Sequence, residues 1–187
     1  MNIKGRFVTL RAVSKNDLPM MCELLNDPII ESLVIGWSFP ISMEQQIIWY
    51  EKTISDSSNQ RFVIETLEEG AVGIATLVNI DWKNRCATNG IKLLNKERKT
   101  KGIGTDALMA LMRYAFDELG LNRLETSRFE DNIPSQKLYT KCGWQVEGIR
   151  RKCVYKNGEW KNLVNVGILI EDYHKLLADT SYWKQIK

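Results

Sequence analysis

The run from Ala87 to Asp106, ATNGIKLLNKERKTKGIGTD, restricts the fold more than any other part of the chain. Ala87 to Leu94 reads as a strand, and Gly102 and Gly104 let the backbone turn tightly behind it. Leu108, Leu111, Met112 and Ala115 then recur at helical spacing, so a helix follows that buries one face and ends near Gly120. Asn122 to Phe129 supplies the next strand. Strand, loop, helix, strand requires a parallel pair joined by a crossover, and open α/β sheets bind ligands at the C-terminal ends of such strands. The free N–H groups at the helix start, its dipole, and Lys96, Arg98, Lys99 and Lys101 together suit a polyanion. Thr105 and Asp106 fit the first turn.

This is neither of the common nucleotide motifs. Ala107 stands where a dinucleotide fingerprint has its third small residue, but no acidic residue for a ribose follows at the right distance; the Gly-Lys-Ser/Thr ending of a Walker loop is also missing. The 187 residues, 44% hydrophobic, suffice for one domain spanning 1–187. A formal charge of +3 gives no general reason to expect a nucleic-acid partner, so the basic residues matter locally. Cys22, Cys86, Cys142 and Cys153 lack metal-ligand spacing, which predicts no bound metal. MNIKGRF lacks a signal peptide's apolar core, and no apolar run reaches the roughly 20 residues that span a bilayer. The expectation is therefore a cytoplasmic protein with no membrane partner.

Along the chain, Arg6 to Val13 alternates as a strand, and Ser14 with Asp17 opens a helix to about Leu25 that Asn26, Asp27 and Pro28 end. Ile29 to Ile41 reads as irregular, with Gly36, Trp37, Phe39 and Pro40 either covering a core edge or walling a pocket. Ser42 and Gln45 form a capping box for a helix to about Ile54. Arg61 to Leu67 and Ala71 to Ile80 make one hairpin. Val146 to Tyr155 and Glu159 to Ile170 make another around Asn157-Gly158, and a short helix starts at Asp172. His174, the only histidine, reads as a surface residue.

In FEDNIPSQKLYTKCGW, Asn132 is a good N-cap and Gly143 a helix stop. Asn132, Ser135 and Tyr139 share one helix face. The residues alone leave two readings open: a cap, an incidental serine and a half-buried ring, or a functional trio.

Taken together, these stretches resemble the GNAT superfamily of N-acetyltransferases, in the branch of the ribosomal-protein N-terminal and spermidine acetyltransferases. RFVTLRAVSKNDL is similar to that branch's first strand and helix, LLNKERKTKGIGTDAL to its coenzyme motif, and LGLNRLETSRFEDNIPSQKLYTKCGW and EGIRRKCVYKNGEWKNLVNVGIL to its last segments. The resemblance implies an α/β (α+β) GNAT fold: a mixed, twisted sheet of six to seven strands, splayed between the fourth and fifth, flanked by helices, with acetyl-CoA as cosubstrate in the gap. By position, it places the coenzyme diphosphate on backbone around Lys99, Lys101, Gly102, Ile103, Gly104 and Thr105, and the pantetheine arm near Leu93 and Leu94. Asn132 and Ser135 would touch the arm, and Tyr139 would be the general acid. A phenol of ordinary pKa about 10 is protonated at pH 7 and able to serve a departing thiolate.

Two positions depart from the family pattern. Its Gln/Arg is Lys99 here, which keeps the charge and loses the fork. Its strand-borne Glu, the usual base, is Asn89, which cannot accept that proton; Glu31, Glu65 or a water chain are the candidate substitutes. Because an α-amine with pKa near 7.7 to 8 needs less help than an alkylamine near 10, Asn89 favours an α-amine. The implied reaction is acetyl transfer to a primary amine, a protein N-terminus or a small amine, by direct attack in a ternary complex, with backbone donors to the carbonyl oxygen. The alternative function is an acyl-CoA-binding sensor or accessory protein with little or no transferase activity. Asp27 and Glu31 are candidates to receive a cationic acceptor. The strand edges and the aromatic C-terminus, with Tyr182 and Trp183, permit a homodimer.

Overall fold

Val8 and Leu10 are buried while Thr9 and Arg11 between them are less so, the period-two pattern of a strand with one face in the core. This is β2 (Val8–Ala12) of a computed structural model described for residues 2–36, 39–56, 58–94 and 101–185. The other strands are β1 (Ile3–Lys4), β3 (Gln60–Thr66), β4 (Gly70–Asp81), β5 (Cys86–Leu93), β6 (Arg123–Phe129), β7 (Gln145–Lys156) and β8 (Glu159–Leu169). They form one eight-stranded sheet in the order β1-β2-β3-β4-β5-β6-β8-β7. That is one strand more than expected, because the chain before β2 folds back to pair Ile3 with Leu10 and Lys4 with Thr9.

The helices are α1 (Leu18–Asn26), α2 (Pro28–Leu33), α3 (Met43–Thr53), α4 (Ile103–Arg113), α5 (Ile133–Lys141) and α6 (Ile170–Thr180). Helix α2 corrects the reading of Ile29 to Ile41 as irregular. Asp27 and Pro28 end α1 and at once start a new helix, since the Asp27 carboxylate accepts from the N–H groups of Ile29 (2.8 Å) and Ile30 (3.1 Å) and proline fits a first turn. The capping box forms as expected, with Ser42 N–H donating to Gln45 Oε1 at 2.8 Å. Asn157 and Gly158 both take left-handed backbone, which suits the two-residue turn between β7 and β8.

Two further expectations change. Helix α4 is buried on nearly every side: Ala107 to Met112 are all 2% exposed or less, because strands cover one flank and α6 with the C-terminal Tyr182 and Trp183 pack nearby. Asp106, in the first turn as expected, also anchors the chain before β2. Its carboxylate, fully buried, accepts from the N–H groups of Arg6, Phe7 and Val8 at 2.9, 2.9 and 3.0 Å and from Tyr182 Oη at 2.8 Å. Arg6 and Phe7 are therefore held in the bend between β1 and β2, outside the strand assigned to them. Gly5 is needed there, since a Cβ would lie 2.5 Å from Asp106 Oδ2.

The site is positioned by the one parallel pair. β5 and β6 are in register only at Cys86–Arg123, Ala87–Leu124 and Thr88–Glu125. Beyond Thr88, β5 stays with β4 as far as Leu93, and beyond Glu125, β6 stays with β8 as far as Phe129. The expected splay between the fourth and fifth long strands is this parting, and a cleft opens in it.

Candidate active site

The cleft has a volume of about 770 Å³. Strand β5 brings Asn89 and Leu93 to one wall, and the start of α4 brings Gly102, Gly104 and Thr105 to its end. Strand β6 and α5 supply the other wall with Thr126, Arg128, Asn132, Ser135 and Tyr139, and α2 contributes Ile30 and Leu33. Of the positions carried over from the family, eight therefore meet on one surface: Asn89, Leu93, Gly102, Gly104, Thr105, Asn132, Ser135 and Tyr139. Ile103 is 2% exposed with its side chain in the core, so only its backbone can serve. Lys101 is exposed and does not line the cleft. Leu94 is a correction: its N–H donates to Val72 O at 2.9 Å and its side chain packs in the smaller core under α1, away from the cleft. Lys96, Arg98, Lys99 and Trp37 lie outside the described residues.

Helix α4 begins differently from its neighbours. Asp27, Ser42 and Asn132 cap α2, α3 and α5 with side-chain oxygens, whereas α4 starts at Gly102 in left-handed backbone (φ 85°) with no side-chain cap. Asp106 N–H bonds to Gly102 O at 3.0 Å, which leaves the N–H groups of Ile103, Gly104 and Thr105 without a protein partner among the described residues. They sit at the positive end of a buried helix and open on the cleft. A Cβ at Gly104 would stand 3.5 Å from Leu93 and 3.8 Å from Leu138, filling the mouth of this cradle. The donor set fits a diphosphate. The edge of β5 that has lost β6 fits the amide-bearing arm of the same coenzyme, by strand-like pairing.

Tyr139 lies one helical turn behind Ser135, its ring 6% exposed and edge-on to Trp144 at a centroid distance of 4.8 Å. Its hydroxyl donates to Asn89 Oδ1 over a long 3.4 Å, with Thr126 as its other neighbour. Burial pushes the phenol up to about 12, so it holds its proton. Asn89, 3% exposed, has a side-chain Nδ2 with no partner. The Asn132 side chain is used twice, accepting from Ser135 N–H at 3.0 Å and donating to Leu33 O at 3.1 Å, which ties α5 to α2 beside the cleft.

The substitute bases do not reach the site. Glu65 pairs with Arg11 Nε at 2.9 Å, and Glu31 pairs with the buried Lys156; neither lines the cleft. Asp27 is occupied as the cap of α2, so the two acids proposed for a cationic acceptor are both engaged elsewhere. Burial also pushes the Cys142 thiol up to about 12, which leaves it inert as a nucleophile. His174 is exposed, 3.8 Å from Asp117, as expected of a surface residue. The sequence reading missed Thr126 and Arg128, whereas the pocket-wall alternative for Ile29 to Ile41 is met by Ile30 and Leu33; alternation along β6 puts Thr126 and Arg128 on one face, and that pattern was the available signal. No helix among the described residues is long and apolar enough to cross a membrane.

Comparison with known proteins agrees with this geometry. Residues 8–145 match the family model described as an acetyltransferase (GNAT) domain. The chain is 30% identical over 176 residues to the spermidine N(1)-acetyltransferase of Escherichia coli K12, covering 92% of this chain and 93% of that one. It is 29% identical to a putative ribosomal N-acetyltransferase of Bacillus subtilis, covering 89% and 93%. The crystal structure of Vibrio cholerae spermidine N-acetyltransferase with CoA and spermine superposes with a TM-score of 0.83 at 26% identity, over 89% of this chain and 98% of that one. An uncapped helix start, a split parallel pair and a buried phenol on one cleft are thus found in a chain that belongs to the GNAT family of acetyl-CoA-dependent N-acetyltransferases.

Proposed function

We propose that the chain acetylates a primary amine by direct attack in a ternary complex. The observation that carries this reading is the uncapped start of α4 opening on the same cleft as Tyr139 and Asn89. The N–H groups of Ile103, Gly104 and Thr105 hold the diphosphate, and the free edge of β5 near Leu93 holds the pantetheine arm in the gap. Lys101 adds local positive charge, while Ser135 on α5 borders the arm. Acetyl-CoA supplies an activated acetyl group as a thioester.

The neutral amine attacks the carbonyl carbon, the C–S bond breaks, and the Tyr139 hydroxyl donates to the departing sulfur. The amine's surplus proton returns to the phenolate, so protons balance with no acyl-enzyme. Asn89 stands where the family resemblance implies a base and supplies none. Its free Nδ2 instead gives the cleft a neutral donor, and the acceptor has to arrive already deprotonated. An α-amine meets that requirement near neutral pH far better than an alkylamine.

A thiol-release assay with acetyl-CoA and a panel of amines tests the reading. Acetyl-CoA binding with amine-dependent thiol release is the expected result; binding without release for any amine would refute the transfer.

A further inference from the structure

We propose that the acceptor carries a carboxylate within a few bonds of its reacting amine, and that Arg128 receives it. The inference rests on the transfer reading above and names its substrate class. Arg128 is 7% exposed and lines the cleft, two residues beyond Thr126 on the same face of β6, so its Cα lies roughly 7 Å further along from the residue beside Tyr139. Its Nη1 donates to the carbonyls of Phe129 (3.1 Å) and Glu130 (3.3 Å), which fix the guanidinium plane. No carboxylate pairs with it among the described residues. A guanidinium has five N–H donors, and a buried cation without an anion is unfavourable, so the remaining donors define a site that a carboxylate fits in the bidentate manner.

The rest of the lining agrees. Its charged side chains among the described residues are Lys92, Arg128, Lys137 and Lys141, with no Asp or Glu. A polyamine would bring more positive charge into a cleft that has no described carboxylate to meet it, and Asp27 and Glu31 are engaged elsewhere. Arg128 is distinct from the coenzyme cradle, which opens at the end of β5 on the opposite wall; Lys137 flanks Leu138, the α5 residue nearest Gly104, and is the better placed of the two for coenzyme phosphates.

The test uses the full chain, with Arg128→Gln and Arg128→Lys, and three amines: glycylaspartate, glycinamide and spermidine. Glycylaspartate should show a kcat/KM at least roughly tenfold above both others. R128Q should raise its KM roughly 30-fold, with kcat, glycinamide turnover and acetyl-CoA affinity unchanged and R128K in between. Spermidine as the best acceptor, an equal loss for glycinamide, or a loss of acetyl-CoA affinity in R128Q would each overturn the assignment. Calorimetry of N-acetylglycylaspartate into CoA-loaded protein decides the matter independently of turnover. Binding that R128Q abolishes supports the site even if transfer fails, and the absence of heat with the unmodified chain refutes it.

Discussion

Replacing Tyr139 by Phe separates chemistry from packing at this site. The ring keeps its edge contact with Trp144, and the hydroxyl loses a long 3.4 Å bond to Asn89 and its contact with Thr126, so stability should fall by about 1 kcal/mol. The rate effect is larger and can be bounded. Complete transfer from a phenol near 12 to a thiolate of ordinary pKa about 8.5 is uphill by roughly 5 kcal/mol at 1.36 kcal/mol per unit. The hydroxyl therefore acts mainly as a hydrogen-bond donor to sulfur, completing transfer only as the nitrogen proton returns. This puts the expected loss near the low end of general-acid effects, about 100-fold in kcat or about 2.7 kcal/mol. Acetyl-CoA affinity by calorimetry should change less than about twofold, since the phenol serves the transition state. The pH profile adds a check. The group acts when protonated and loses its effect as pH rises through its pKa, so a value near 12 predicts no alkaline decline below about pH 10. Turnover should instead rise with pH as the acceptor amine deprotonates, with a midpoint near 8 for an α-amine. A Y139F enzyme with kcat within about twofold of the parent in the thiol-release assay would refute this role.

Further outcomes follow from neighbouring contacts. Asp106→Asn removes a buried carboxylate that accepts four hydrogen bonds and should lower stability by about 2–4 kcal/mol in denaturant melts; a change below about 0.5 kcal/mol would contradict its anchoring role. Gly5→Ala should cost about 1–3 kcal/mol in the same melts, because its Cβ would press on Asp106. Asn132→Ala loses the α5 cap and the tie to Leu33, so a loss of about 1–2 kcal/mol in stability should accompany a raised KM for acetyl-CoA; unchanged KM would leave Asn132 a purely structural cap. Gly104→Val fills the cradle mouth and should weaken acetyl-CoA binding at least roughly tenfold while the melting temperature moves little.

Much of the fold was legible because its signals are local. The strand, glycine loop and helix around Gly102 imply the parallel crossover, Ser42 with Gln45 announces α3, and Asn157-Gly158 sets the last hairpin. Tyr139 and Asn89 could be paired only through the family resemblance, since fifty residues separate them and no periodicity links β5 to α5. What escaped depends on long-range partners. Asp106 looks like an ordinary first-turn acid until β2 and Tyr182 fold onto it, and Glu65 and Glu31 look like spare bases until Arg11 and Lys156 claim them. Asp27-Pro28 carries both a stop and a start signal; only the bonds to Ile29 and Ile30 show that the start prevails.

The central claim is that the backbone N–H groups at the start of α4 grip the coenzyme diphosphate. Amide NMR of ¹⁵N-labelled protein titrated with CoA and then with pantetheine, which lacks the diphosphate, tests it directly. The account predicts large shifts of the Ile103, Gly104 and Thr105 amide protons with CoA and little movement with pantetheine. Saturating CoA binding that leaves those three amides in place would contradict it.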